Sequence, residues 1–155
     1  MKLEDIRKEY EGHGLSDFDK FNKEFEVQGF ELEKWDFLNS MCRAVINRMS
    51  SFSNYVVPFF IPGGYYNGLI MSNVKDEKTI LRAKDTYKDI MILYHEALRM
   101  SLESDEKKQI EFLKDFWKRY PKVKKETLDL IGICENVFKI EDKEKKTGAY
   151  LGWFL

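Results

Sequence analysis

The sequence contains few of the residues that mark a metal protein, a redox protein or a disulfide-stabilised protein. Of its 155 residues, two are histidine, two are cysteine and three are proline. Neither cysteine belongs to a CxxC pair or to a zinc-type spacing, so neither a redox centre nor a zinc site is indicated. We therefore expect Cys42 and Cys134 to be reduced, buried thiols, and we expect no metal site.

Motifs that mark a known chemistry are also missing. The segment PGGYYNG lacks the GK[ST] of a phosphate-binding loop, and SSFS at 50–53 is not a GxSxG nucleophile elbow. In LYHEALR, Arg99 replaces the second histidine of HExxH, and Ile92 replaces the glutamate of a di-iron ExxH pair. The sequence leaves enzymatic activity undecided, favours its absence, and identifies no cofactor.

Charge is high but shows no bias in sign. The chain has 26 basic and 27 acidic residues and a net charge of −1, which gives no overall attraction to nucleic acid or to anionic lipid. The N-terminal stretch MKLEDIRKEYEG is acidic and amphipathic, unlike a signal peptide. We therefore expect a cytoplasmic protein.

Apolar residues recur at alternating spacings of three and four, which is typical of helices that pack along one face. These spacings predict an all-α fold, an antiparallel up-and-down bundle of four main helices plus short N-terminal helices, in a single domain over 1–155. The predicted helices cover 3–11, a segment opened by a capping box at Ser16, about 31–52, 75–102, a segment from an N-cap at Ser104 to Pro121, and about 122–140.

One long stretch of the chain is uncharged, since no charged residue occurs between Arg48 and Lys75. Prolines and glycines interrupt it at 58, 62, 63, 64 and 68, so we expect no membrane insertion. It predicts an apolar crossover between the two longest helices. Residues 55–61 have strand-like composition, and either PGG or Asn67-Gly68 can turn the chain, which allows a small hairpin.

The same stretch could instead form a ligand pocket or a subunit contact. Glycines let a backbone approach a ligand closely, and Tyr65, Tyr66 and Asn67 offer polar tips on largely apolar side chains. The candidate binding residues are Phe59, Phe60, Pro62, Gly63, Gly64, Tyr65, Tyr66, Asn67, His95, Trp153 and Phe154.

The end of the sequence changes character abruptly. Residues 141–147 begin with the run EDKEKK, which predicts a charged linker, and residues 148–155 are uncharged and aromatic-rich. Because terminal residues are usually polar and frayed, an apolar tail of this kind should dock on a protein surface.

Three functional hypotheses follow from these features. The first is a self-associating interaction or scaffold protein, a homodimer that uses segments 52–71 and 148–155. The second is a small-molecule-binding protein or enzyme with a pocket under the PGGYYN loop near His95. The third is a nucleic-acid-associated subunit that uses the basic cluster 118–125, with Trp117 and Tyr120 stacking on bases; acidic neighbours make this partner the least expected.

Overall fold

The computed structural model describes residues 2–27 and 36–146 of the chain. In these residues every regular element is helical and no strand occurs, which confirms the all-α prediction. The arrangement as an antiparallel up-and-down bundle stays a prediction. The described helices are α1 (Leu3–Gly12), α2 (Phe18–Phe25), α3 (Phe37–Val56), a 3₁₀ helix (Val57–Phe59), α4 (Gly64–Asn73), α5 (Glu77–Glu103) and α6 (Glu106–Lys146).

The chain divides into two compact units. The first unit consists of the described residues within Met1–Ser51 and Ile90–Pro121, and the second of those within Phe52–Asp89 and Lys122–Leu155. Both units therefore draw on α3, α5 and α6. A single domain over 1–155 stays a prediction.

The first unit has an aromatic core. The rings of Phe21 and Phe25 stack with centroids 4.7 Å apart, and Trp117 meets Phe21 edge-on at 5.6 Å. The polar tips in this cluster are hydrogen-bonded: the Trp117 indole donates to the Tyr10 hydroxyl at 3.1 Å, and that hydroxyl donates to the Ser16 carbonyl at 3.2 Å. The buried aromatic residues here are Tyr10, Phe18, Phe21, Phe25, Phe37, Phe112, Phe116 and Tyr120.

The second unit has a smaller and mostly aliphatic core. Its buried apolar residues are Phe52, Val56, Phe59, Ile70, Val74, Ala83, Val123, Leu130, Cys134 and Val137. The buried hydroxyls of Thr86 and Thr127 donate to the carbonyls of Arg82 and Val123, one helical turn earlier, so neither is left unsatisfied. Both cysteines are free and buried, Cys42 in the first unit and Cys134 in the second, as the sequence predicts.

The hairpin prediction is wrong. Helix α3 continues four residues past its predicted end to Val56, a 3₁₀ helix follows, and residues 64–73 form α4. Buried Phe52 and Val56 prolong the apolar stripe of α3, and the Ser51 hydroxyl donates to the Asn47 carbonyl inside the helix. The strand-like composition is thus overridden by packing on a helical face. The predicted start of α3 at 31 lies outside the described residues.

The predicted break at Pro121 is also wrong, because α6 runs through this proline. Pro121 cannot donate to the Trp117 carbonyl, and an interior proline costs a helix about 3 kcal/mol. Each large apolar side chain that is buried returns about 1.5–3 kcal/mol. The spacing of buried residues continues unbroken through the proline, at Phe116, Tyr120, Val123, Thr127, Leu130, Cys134 and Val137.

Two predicted helix caps lie one residue away from their observed positions. Asp17, rather than Ser16, precedes α2, and it makes no side-chain capping bond because its backbone is left-handed, with φ of 62°. Ser104 does not cap α6 either; its φ is 53°, and the Asp105 carboxylate accepts the backbone N–H of Lys108 at 3.1 Å. Asp105 therefore fills the N-cap role.

The run EDKEKK is helical, and its role as a linker stays a prediction. Helix α6 continues to Lys146, and Glu141 is only 6% exposed. The tail 148–155, including Trp153 and Phe154, lies outside the described residues. No helix in the described part of the chain is both long and apolar enough to cross a membrane.

Candidate functional site

Helix α4 is the least sheltered apolar element in the second unit. Its sequence, GYYNGLIMSN, has no charged residue, and Ile70 is the only buried one among its ten residues. A helix that is apolar on all sides is normally enclosed by other elements. Helix α4 instead leaves Tyr65, Tyr66 and Met71 exposed to solvent.

Five large side chains on or beside α4 are exposed: Tyr55, Ile61, Tyr65, Tyr66 and Met71. We refer to these five residues as the α4 surface. Tyr65 is the most exposed of them, at 71%, and the others are between 37% and 47% exposed. Single exposed apolar residues are common in proteins, whereas five in one uncharged segment are not.

Tyr65 is anchored at its polar tip while its ring stays in solvent. Its hydroxyl donates to a carboxylate oxygen of Glu141, the buried glutamate near the end of α6. Hydrogen bonds to a carboxylate are stronger than those between neutral groups. This bond therefore restricts the rotamer of Tyr65 and lowers the entropy that a partner would have to remove on binding.

Tyr66 is held on the same side of α6. Its ring stacks on Phe138 with centroids 5.4 Å apart and an interplanar angle of 22°. Burial of the hydroxyl, followed by its interaction with Cys134, raises the pKa of Tyr66 to about 12. Burial likewise raises the pKa of the Cys134 thiol, so this thiol is not an activated nucleophile.

The loop before α4 has a fixed backbone. Gly64 has φ of +61°, a left-handed conformation that only glycine adopts without strain. The Asn67 side chain donates to the Ile61 carbonyl at 3.0 Å and so closes the loop. Pro62 and Gly63 are exposed at its tip.

The two phenylalanines before the loop both pack against other residues of the second unit, Phe59 completely and Phe60 in part. Phe59 is buried, and Phe60 packs edge-on against Tyr87 of α5 at 5.4 Å. Of the candidate residues from 59 to 67, the structure therefore brings Tyr65 and Tyr66 to an exposed aromatic surface and assigns Phe59 to the core.

His95 belongs to the first unit, whereas the PGGYYN loop belongs to the second. Its Nδ1 lies 2.8 Å from the Met91 carbonyl, which can only accept, so Nδ1 carries the proton. The imidazole is exposed and meets the Tyr94 ring edge-on at 5.3 Å. A pocket that joins His95 to the loop stays a prediction.

A groove of about 650 Å³ lies in the second unit, and no sequence pattern predicts it. Its charges largely neutralise one another: Arg82 pairs with Glu126 and, at 2.6 Å, with Asp129, and Lys122 pairs with Asp89 at 2.9 Å. A charged ligand would have to compete with these pairs. The groove is lined by Glu77, Lys78, Leu81, Arg82, Asp85, Thr86, Asp89, Lys122 and Glu126, which include none of the predicted site residues.

The basic cluster 118–125 offers less to nucleic acid than its sequence suggests. Tyr120 is 2% exposed and cannot stack on a base. Arg119 already binds carboxylates on α5 and α6, and Lys122 binds Asp89. Arg119 and Lys122 are thus engaged within the protein.

Neither a metal-binding group in the described part of the chain nor similarity to known proteins indicates a function. Among the described residues, no group of three or more histidine, cysteine, aspartate or glutamate side chains could hold a metal ion. No known protein family matches the chain, and neither a curated protein nor a solved structure is significantly similar to it. The function must therefore be argued from the α4 surface alone.

Proposed function

We propose that this protein is a self-associating interaction protein whose contact surface is the α4 surface, with a second copy of the chain as the partner. The observation that supports it is the exposure of α4, an uncharged helix with a single buried residue. Apolar and aromatic side chains are enriched at the centre of protein interfaces, where charged residues are depleted. A second copy is the simplest partner, because two-fold assemblies are the commonest oligomers.

The expected affinity is modest. A stable complex typically buries about 800 Å² on each partner, and the α4 surface supplies five partly exposed side chains. Each apolar side chain that becomes fully buried contributes at most about 1.5–3 kcal/mol, reduced here because these residues are already partly covered. After the cost of association is subtracted, we expect a dissociation constant in the micromolar range.

Sedimentation equilibrium of the full chain, from low to high micromolar concentration, tests the proposal. Met71→Glu places a charge on the α4 surface and leaves both partners of the Tyr65–Glu141 bond in place. Because an unpaired charge is costly to bury, we expect it to weaken association at least about tenfold, or ~1.4 kcal/mol.

Leu102→Glu is the matched control, since it makes the same change at an apolar residue that is 77% exposed in the first unit. It should leave association unchanged. A chain that stays monomeric at every concentration would contradict the proposal, as would equal weakening by both substitutions.

The other two hypotheses have less support. The mutual pairing of charges in the groove between α5 and α6 does not favour a small-molecule site there. The burial of Tyr120 does not favour nucleic acid. Neither hypothesis is proposed here.

A further inference from the structure

We infer that residues 148–155 of the same chain dock on the α4 surface and compete there with a second copy, so that the tail limits self-association. This inference rests on the proposed function, because it assigns a regulator to the same surface. Its basis is the position of α6, whose last described turns lie beside α4.

Two contacts show that the part of α6 that precedes the tail lies beside α4. Phe138 stacks on Tyr66, and Glu141 accepts the hydroxyl of Tyr65. The described part of α6 extends to Lys146. The chain therefore leaves the described structure within two helical turns of the α4 surface.

The remaining length of chain is sufficient. Nine residues follow Lys146, and in an extended conformation they span up to about 30 Å. A helix of ten residues, such as α4, is about 15 Å long. The tail can therefore run along the whole of α4 without any movement of α6.

The chemistry of the two segments is matched. The tail, TGAYLGWFL, has no charged side chain, and its Tyr, Trp, Phe and Leu residues are of the kind that fill apolar surfaces. No charged residue occurs between Arg48 and Lys75 either. Neither segment therefore has to desolvate a side-chain charge when the other binds.

Tethering favours the tail over a second copy. A segment joined by a short linker experiences an effective concentration in the millimolar range. A second copy at micromolar concentration can displace it only where its own affinity is much higher. Under dilute conditions we therefore expect the tail to occupy the α4 surface.

The test compares the full chain with a chain that ends at Lys146, by sedimentation equilibrium. Loss of an intramolecular competitor should tighten self-association at least about tenfold. The thermal unfolding of the shortened chain, followed by circular dichroism, verifies that it is folded.

A second measurement does not depend on that comparison. A fluorescein-labelled peptide of residues 143–155, whose first four residues keep it soluble, is titrated with the shortened chain and followed by anisotropy. Saturable binding is expected, with loss of dimer as peptide is added, and Met71→Glu should abolish the binding while Leu102→Glu should not.

The outcomes separate this inference from the proposed function. Equal association of the full and shortened chains, with no peptide binding, overturns the inference and leaves the α4 contact intact. Loss of association on shortening also overturns it, since the tail would then join two copies. Absence of association in both chains, with saturable peptide binding, supports the tail and contradicts self-association.

Discussion

The two units use aromatic residues in opposite ways. In the first unit, rings from α1, α2 and α6 pack on one another, with Phe21 fully buried and its ring 5.1 Å from that of Tyr10. In the second unit, Tyr55, Tyr65 and Tyr66 stay exposed. Aromatic content alone therefore does not separate core from contact surface.

The two units differ in the residues that separate the aromatic residues along each helix. In α2 the aromatic residues at 18, 21 and 25 alternate with charged residues, so the helix has one face for the core and one for water. In α4 no charged residue occurs, and Tyr65, Tyr66 and Met71 lie on different sides of the helix. Packing one side of such a helix leaves apolar side chains on the other.

The sharpest test of this comparison is to truncate one ring from each unit. Phe21→Ala removes a fully buried ring, and we expect it to lower the free energy of unfolding by about 3–5 kcal/mol. Tyr65→Ala removes a mostly exposed ring together with the hydrogen bond to Glu141, and it should cost less, about 1–2 kcal/mol. Urea unfolding followed by circular dichroism measures both, and equal losses would remove the distinction between the units.

A smaller effect should appear at alkaline pH. Burial, opposed by the bond from Trp117, raises the pKa of Tyr10 from 10.0 to about 12. Its contribution to stability is therefore complete below pH 10 and is lost as the pH rises towards 12, about 1 kcal/mol by pH 11. Tyr66, with a pKa of about 12, should behave alike.

The urea concentration at the midpoint of unfolding, measured at about pH 9 and at about pH 11, tests this expectation. Cys42 adds to the same loss, because burial raises its pKa to about 12. The informative quantity is therefore the difference between variants: Tyr10→Phe and Tyr66→Phe should each lose less stability than the wild type over this interval. A loss identical to the wild type in Tyr10→Phe would show that its hydroxyl is not sheltered.

The smallest expected effect is at Gly68, on the outer side of α4. A Cβ at this position meets no atom within 4 Å. Gly68→Ala should therefore raise the free energy of unfolding by about 0.5–1 kcal/mol, since alanine favours the helix and glycine does not. Thermal unfolding of the chain that ends at Lys146, at a concentration where it is monomeric, measures it, and a lower melting temperature would mean that other residues of the shortened chain cover the outer side of α4.

The sequence was sufficient to predict those helices in which charged residues flank the regularly spaced apolar residues. The predicted helix at 3–11 agrees with α1, and that at 75–102 with α5, to within two residues. It was insufficient where spacing and local signals conflict, as at Pro121, where the three-and-four alternation of buried residues continues through the proline. Following that alternation would have identified α6 as one helix.

The candidate surface was predictable only as a segment. Absence of charge singled out 52–71, but the same absence hides which side chains are buried, since no polar face orients the helix. Tyr65 and Phe59 therefore looked equivalent, although one is exposed and the other is core. The Tyr65–Glu141 bond joins residues 76 positions apart, and no sequence pattern indicates it.

The most direct test of self-association through α4 is amide hydrogen exchange of the chain that ends at Lys146, which lacks the competing tail, at low and at high micromolar concentration. We expect the amides of Gly64–Asn73 to become more protected as concentration rises, because α4 becomes covered, while those of Phe18–Phe25 change little. Protection of α4 that is independent of concentration would contradict the account.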